Sequence, residues 1–322
     1  MRRPQLRAVA ALVLVGGAIA AVGGTAYAAK GQELTEVKLA YAPITDYAPI
    51  FVGLKQGFWK QEGITLKTTT TSITPSSLVA LSISGQVDIA TNSATALITA
   101  NVQGIPCKLL AAGSEYPTKG YMEILVRSSS DIRRFRDLAG KNVATVGLRG
   151  LFHMATLNAV EKDGGDWTKM TALPIAQPDA AAALLAGRVD AIVLQEPFKT
   201  LALLQSGIRS IGNPLALFDP RTTAGVMIAC GDIFEKKKDV LLRFLRAWKK
   251  SVDFAQTHPK FTRTIIPKYS GLTQQVANLI DVPTFTTRLP QGVLGKMIKT
   301  MIHYGWITGT PPAYNQIVWD RK

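Results

Sequence analysis

The sequence predicts an α/β protein built as two similar lobes, and three observations carry this. Short apolar strands alternate with helical stretches, which implies βαβ units and sheets of mostly parallel strands flanked by helices. One unit occurs twice: Ser84-Gly85-Gln86-Val87-Asp88-Ile89-Ala90 matches Ala186-Gly187-Arg188-Val189-Asp190-Ala191-Ile192, with the glycines 102 residues apart. A chain of 322 residues is long enough for about two domains, each with its own core.

The order of elements begins after a leader. Arg2, Arg3 and Arg7 precede an apolar run from Ala8 to Val22, and Ala26-Tyr27-Ala28 supplies the small residues a signal peptidase reads. Gly16, Gly17, Gly23 and Gly24 break the run, which is shorter than the ~20 residues a bilayer span needs. Residues 1–28 are therefore expected to be a cleaved signal peptide, and a membrane anchor is the competing reading. No cysteine stands near the cut to take a lipid, so a free periplasmic protein is expected.

The first lobe opens with a strand, Val37 to Tyr41, then a helix from Ile50 to Trp59 and a β-branched strand from Thr65 to Thr70. Ser77 to Ile83 is helical and leads through Gly85 into the strand at Ile89. Gly104-Ile105 closes the next helix and opens a strand, as Gly207-Ile208 does in the second copy. The second lobe has a strand at Asn142 to Val146. Tyr121 to Val126 and Ala224 to Ala229 read as strands where the chain passes between lobes, and two crossings make a hinge. The expected division is 29–123 for the first part of lobe 1, 124–226 for lobe 2, and 227–322 for the return to lobe 1. After Cys230 the chain reads as helices broken at Pro259, Pro267, Pro283 and Pro290, packing back on the first lobe.

The net charge is +15, yet the basic residues are spread along the chain. A nucleic-acid partner is therefore not expected. The densest stretch, Lys236 to Lys250, interleaves with Leu241, Phe244, Leu245, Trp248 and Val252 at helical spacing, so it reads as the solvated face of an amphipathic helix. Cys107 and Cys230 are compatible with one disulfide or with two buried free thiols.

Several segments together resemble the NMT1/THI5-like substrate-binding proteins of bacterial ABC importers, the nitrate/sulfonate/taurine group. They are Val52-Gly53-Leu54-Lys55-Gln56-Gly57-Phe58-Trp59 with Glu62-Gly63-Ile64, the Gly85-x-Val-Asp-Ile-Ala run, and Gly104-Ile105-Pro106. Asp137-Leu138-Ala139-Gly140-Lys141 and Gln195-Glu196-Pro197-Phe198 complete the set. The similarity covers roughly residues 36 to 250. It implies a type II periplasmic-binding-protein fold whose two lobes close on a small-molecule ligand. It also implies delivery of that ligand to a permease in the inner membrane. A monomer without cofactor is expected.

Ligands of α/β sheets bind beyond the carboxyl ends of the strands. Four such ends supply the candidate site. The first carries Tyr41, Thr45, Asp46 and Tyr47, and the second Asn92, Ser93 and Thr95. The third carries Arg149, Gly150, Phe152 and His153, and the fourth Gln195 and Glu196. Asn92 and Ser93 open a helix and serve either its cap or an anion. Arg149 suits a carboxylate or sulfonate, and otherwise lies in solvent. Glu196 and Asp46 point instead to a ligand with donors, or to salt bridges within the fold. Asp88 and Asp190 are expected to brace turns. No phosphate loop, H-E-x-x-H, paired metal-spaced cysteines or G-x-S-x-G elbow is present, so an enzyme is not expected. The alternatives are an exported ligand sensor for a membrane receptor, or a pyrimidine-synthesis-related enzyme of the same fold.

Overall fold

The computed structural model describes residues 34–70, 75–117, 120–219, 222–223, 225–288 and 291–320. The expected leader lies outside these residues. The strands are β1 (Thr35–Tyr41), β2 (Ile64–Thr70), β3 (Ile89–Ser93), β4 (Cys107–Ala112), β5 (Ser114–Glu115) and β6 (Met122–Arg127). They continue with β7 (Asn142–Thr145), β8 (Thr171–Pro174), β9 (Ala191–Gln195), β10 (Ile208–Gly212), β11 (Gly225–Cys230) and β12 (Thr284–Phe285). The helices that matter below are α1 (Ala48–Gln56), α2 (Phe58–Gln61), α3 (Pro75–Ile83), α4 (Ala94–Val102), α5 (Leu151–Lys162), α6 (Gln177–Leu185) and α7 (Phe198–Leu203). They are followed by α8 (Ile233–Lys236), α9 (Lys238–Thr257), α10 (Pro259–Ile265), α11 (Pro267–Ser270), α12 (Gln274–Leu279), α13 (Gln291–His303) and α14 (Tyr314–Ile317).

Two five-stranded sheets repeat one topology. The first runs β2-β1-β3-β11-β4 and the second β8-β7-β9-β6-β10. In each, the first three strands are parallel and the fourth is reversed against both neighbours. Four strands of each sheet therefore end on the same edge. The repeated Val-Asp works identically in both copies. Asp88 Oδ2 accepts from Lys38 N at 2.8 Å and Asp190 Oδ2 from Asn142 N at 2.9 Å, so each aspartate ties the start of its strand to the backbone of the neighbouring one. Gly85 and Gly187 both turn with φ 71°, a left-handed conformation that glycine adopts without steric cost.

The reversed strands explain the crossings. The chain leaves the first sheet after β4 and β5, enters the second at β6, leaves it after β10 and returns at β11. The boundaries expected at 123/124 and 226/227 fall inside β6 and β11, because each crossing is completed before its strand begins. The helix expected from Ile50 to Trp59 is two helices, broken where Gly57 adopts φ 74°.

The amphipathic helix α9 buries Leu241, Phe244, Leu245, Trp248 and Val252 against the first lobe, each contributing roughly 1.5–3 kcal/mol. Its basic face is solvated and paired, with Arg246 and Lys250 on Glu62 at 2.7 and 2.8 Å. Cys107 and Cys230 are register partners on β4 and β11 and form a disulfide, so the free-thiol alternative does not hold. The C-terminal segment does not pack on the first lobe alone. Helix α13 lies beside α4, while His303 Nε2 and Tyr304 Oη reach Glu161 of α5 at 2.8 and 3.1 Å. The pair β5–β12 was not anticipated, being only two residues long in each strand.

Candidate functional site

The carboxyl edges of the two sheets enclose a cavity of about 690 Å³. The first lobe contributes the ends of β1 and β3, the faces of α3 and α4, and the apolar side chains of Ile44, Leu78, Val79 and Ile105. The second contributes the ends of β7, β8 and β9 and the start of α5. Seven expected site residues line it: Tyr47, Asn92, Ser93, Arg149, Gly150, Phe152 and Gln195. Six do not: Tyr41, Thr45, Asp46, Thr95, His153 and Glu196.

The first-lobe polar groups mostly satisfy one another. Asn92 Nδ2 donates to Pro75 O at 2.9 Å and Asn92 Oδ1 accepts from Ser93 N at 2.8 Å. Ser93 Oγ caps α4 by accepting from Ala96 N at 3.2 Å, and Thr95 lies behind it with Oγ1 3.1 Å away. Tyr47 turns its ring to the cavity and donates to Asn92 O at 3.0 Å.

The second lobe presents the charge. Arg149 is exposed, and it is the one described non-glycine residue in left-handed backbone, at φ 57°. Its N–H donates to His153 Nδ1 at 3.1 Å. Gly150 begins α5 with no side-chain cap and no acidic residue in the first turn. Arg149 directly precedes the positive end of that helix, and both line the cavity. His153 packs behind them against Trp306, with ring centroids 4.9 Å apart. Burial, assisted by the Arg149 charge, pushes its imidazole down to about 4. It is a neutral acceptor at neutral pH.

The two carboxylates, read as facing a ligand with donors or as making salt bridges within the fold, lie outside the cavity lining, each held by buried partners. Asp46 sits in a short 3-10 turn (Thr45–Tyr47), wholly buried, and accepts from Ser114 Oγ and from Tyr121 Oη at 2.5 Å. Thr45 Oγ1 lies 2.6 Å from the same tyrosine oxygen. Burial raises the Asp46 carboxyl to about 6, against the lowering effect of Ser114 and Tyr121. Glu196 is also wholly buried. It pairs with Lys199 Nζ at 2.7 Å and accepts from Thr200 Oγ1 at 2.8 Å and Asp281 N at 3.1 Å. Lys199 also binds Asp281 at 2.6 Å, so this cluster ties α7 of the second lobe to the C-terminal segment. Tyr41 packs against Phe51 and Tyr269 behind the site.

Among the lining residues that escaped the sequence reading are Tyr116, Gln177 and Pro174. Pro174 ends β8, a four-residue strand whose only signal was its place in the repeat after α5, and Gln177 opens α6 just beyond it. Tyr116 lies in the first crossing, where no periodicity marks it. Among the described residues no cluster of His, Cys, Asp or Glu suits a metal ion, and no helix is long and apolar enough to cross a membrane.

With this geometry in hand, comparisons with known proteins are informative. An Escherichia coli (strain K12) protein named as an aliphatic sulfonates-binding protein is 27% identical over 217 residues, 67% of this chain. The match spans 66% of that relative, just short of two thirds of its length. The crystal structure of the periplasmic aliphatic sulphonate binding protein SsuA from Escherichia coli superimposes with TM-score 0.72 at 21% identity, covering 88% of this chain and 92% of that one. The alkanesulfonate-binding protein SsuA from Xanthomonas axonopodis pv. citri, bound to MOPS, gives 0.71 at 19% identity, with coverage of 86% and 96%. These likenesses show the fold, a two-lobed type II periplasmic-binding-protein architecture. Residues 44–261, more than half of the chain, match the NMT1/THI5 like family, and the chain belongs to that family.

Proposed function

We propose that the chain is an exported solute-binding protein that captures a small organic anion between its lobes and delivers it to the permease of an ABC importer. The observation that carries this reading is the pairing of Arg149 with the uncapped start of α5 at the rim of an otherwise largely apolar cavity. A guanidinium and a helix N-terminus favour an oxyanion, and the apolar wall suits a carbon chain. The volume is within the roughly 300–1,000 Å³ of small-molecule sites and far exceeds what a bare inorganic anion fills. With Asp46 and Glu196 withdrawn behind the wall, the reason for expecting an amino-bearing ligand falls away. The names of the sulfonate-binding relatives agree with an anionic head.

The two-lobed topology supports closure on a ligand. Ligand first rests on one lobe, and contacts from the other favour the closed state by their differential affinity. No bond is made or broken, so the ligand leaves unchanged. The test is a thermal-shift and calorimetric panel of alkanesulfonates, aliphatic carboxylates, nitrate, amino acids and pyrimidines, repeated with Arg149→Ala. At 100 times its dissociation constant a ligand stabilises the protein by about 2.7 kcal/mol. Stabilisation by sulfonates or carboxylates, lost in the variant, is the expected result. Response only to neutral or cationic compounds, or recovery of the ligand chemically altered, would overturn the reading.

A further inference from the structure

Two glutamines in the cavity wall have their amide orientation set from behind. A primary amide offers one acceptor oxygen and two N–H donors, so whichever end is committed inside the protein decides what the other end shows a ligand. Gln195 is buried at the end of β9, and its Oε1 accepts from the hydroxyl of Tyr116. Tyr116 has one proton to give, and the other candidate acceptor is Asp46 Oδ2 at 3.5 Å. That carboxylate is already served by Ser114 and, at 2.5 Å, by Tyr121. The Tyr116 proton therefore goes to Gln195. The backbone N–H of Gln195 in turn donates to Gln177 Oε1 at 3.2 Å. Each amide oxygen is thus turned to a donor within the protein, and the Nε2 at the other end of each amide is the end left for the cavity. No aspartate or glutamate is among its described lining residues.

We propose that Tyr116 is a positioning residue that locks the Gln195 side-chain amide as a donor, beside a Gln177 amide oriented independently by the Gln195 backbone N–H. The lock makes the cavity selective for oxyanion heads that only accept, over isosteric heads that bring their own N–H. This rests on the organic-anion reading above. An uncharged amide head would face two N–H groups across the same space and leave its own donors unpaired, which is more costly than a merely lost contact.

The test uses two isosteric pairs, hexane-1-sulfonate with hexane-1-sulfonamide and hexanoate with hexanamide, titrated into the full chain by calorimetry. The wild type should prefer the anion of at least one pair. In Tyr116→Phe the Gln195 amide is free to turn and offer its oxygen, so that preference should fall roughly tenfold, the scale of one hydrogen bond to a charged group. In Gln195→Leu, where Tyr116 is intact, affinity for the anion should itself fall by about tenfold or more. A merely structural role for Tyr116 would weaken anion and amide alike and leave their ratio unchanged. An unchanged ratio in Tyr116→Phe, or unchanged anion affinity in Gln195→Leu, overturns the lock while leaving the anionic ligand standing. Failure of the wild type to bind either anion overturns the reading beneath it and the lock together.

Discussion

Replacing Asp46 by asparagine should change the pH dependence of stability in a defined direction. The Asp46 carboxyl titrates at about 6 in the folded protein because burial disfavours its charge, with Ser114 and Tyr121 pulling the other way. In the unfolded chain an aspartate titrates at about 3.9. Between these values the native state holds a proton that the unfolded state has released. Stability is therefore greatest at and below about pH 4 with respect to this group, and falls as pH rises through about 6. Two pH units at 1.36 kcal/mol each give a loss of about 3 kcal/mol between pH 4 and pH 7.5. Asparagine does not titrate, so Asp46→Asn should lack this loss. The absolute stability of the variant also reflects the charge-assisted hydrogen bonds it gives up, so the informative quantity is the difference between the two proteins at each pH. Urea unfolding of both at pH 4, 5, 6 and 7.5 measures it. Other titrating groups, Glu196 and His153 included, are common to both and cancel. The variant should gain about 3 kcal/mol on the wild type across that range. Parallel profiles, or a gain in the opposite direction, would refute the claim that the Asp46 charge is held in a desolvated site.

Lys199→Met should destabilise by about 3–5 kcal/mol, since it strands the buried Glu196 carboxylate, and calorimetric melting checks this. Glu196→Ala should likewise cost stability while leaving the affinity of the isolated binding step nearly unchanged, which titration measures. Gly85→Ala and Gly187→Ala should each cost about 1–2 kcal/mol in denaturant unfolding, and by similar amounts, because both sit at φ 71° with no crowding of the added methyl. Removing the disulfide by Cys107→Ala with Cys230→Ala should cost up to about 5 kcal/mol, from the chain entropy released over a separation of 123 residues, with ligand titration unchanged.

Much of the architecture was legible because its signals are local. Glycine after a helix, Val-Asp at a strand start and apolar spacing along α9 each concern residues within a turn or two of one another, and the structure uses them as read. The strand ends around the cavity were legible too, and seven of the thirteen residues expected there line it. The end of β8 was missed because a short strand closed by proline carries little β signal. The roles of Asp46 and Glu196 were left open between a ligand with donors and salt bridges within the fold. A carboxylate beside a cleft looks the same in sequence whether it faces the ligand or the core.

By itself, then, the sequence determined two repeated α/β units, their order, the amphipathic helix that covers the first lobe, and the strand ends where a ligand could sit. Only the tertiary structure decided which polar groups face the cavity. It also joined Cys107 to Cys230, carried α13 across to Glu161, and set the Gln195 amide against Tyr116. The reason is one of range. Backbone conformation and helical or strand periodicity are dictated by neighbours along the chain. Burial, amide orientation and the charge state of a carboxylate are dictated by partners such as Tyr116 and Gln195, which lie 79 residues apart and meet only when the lobes are formed.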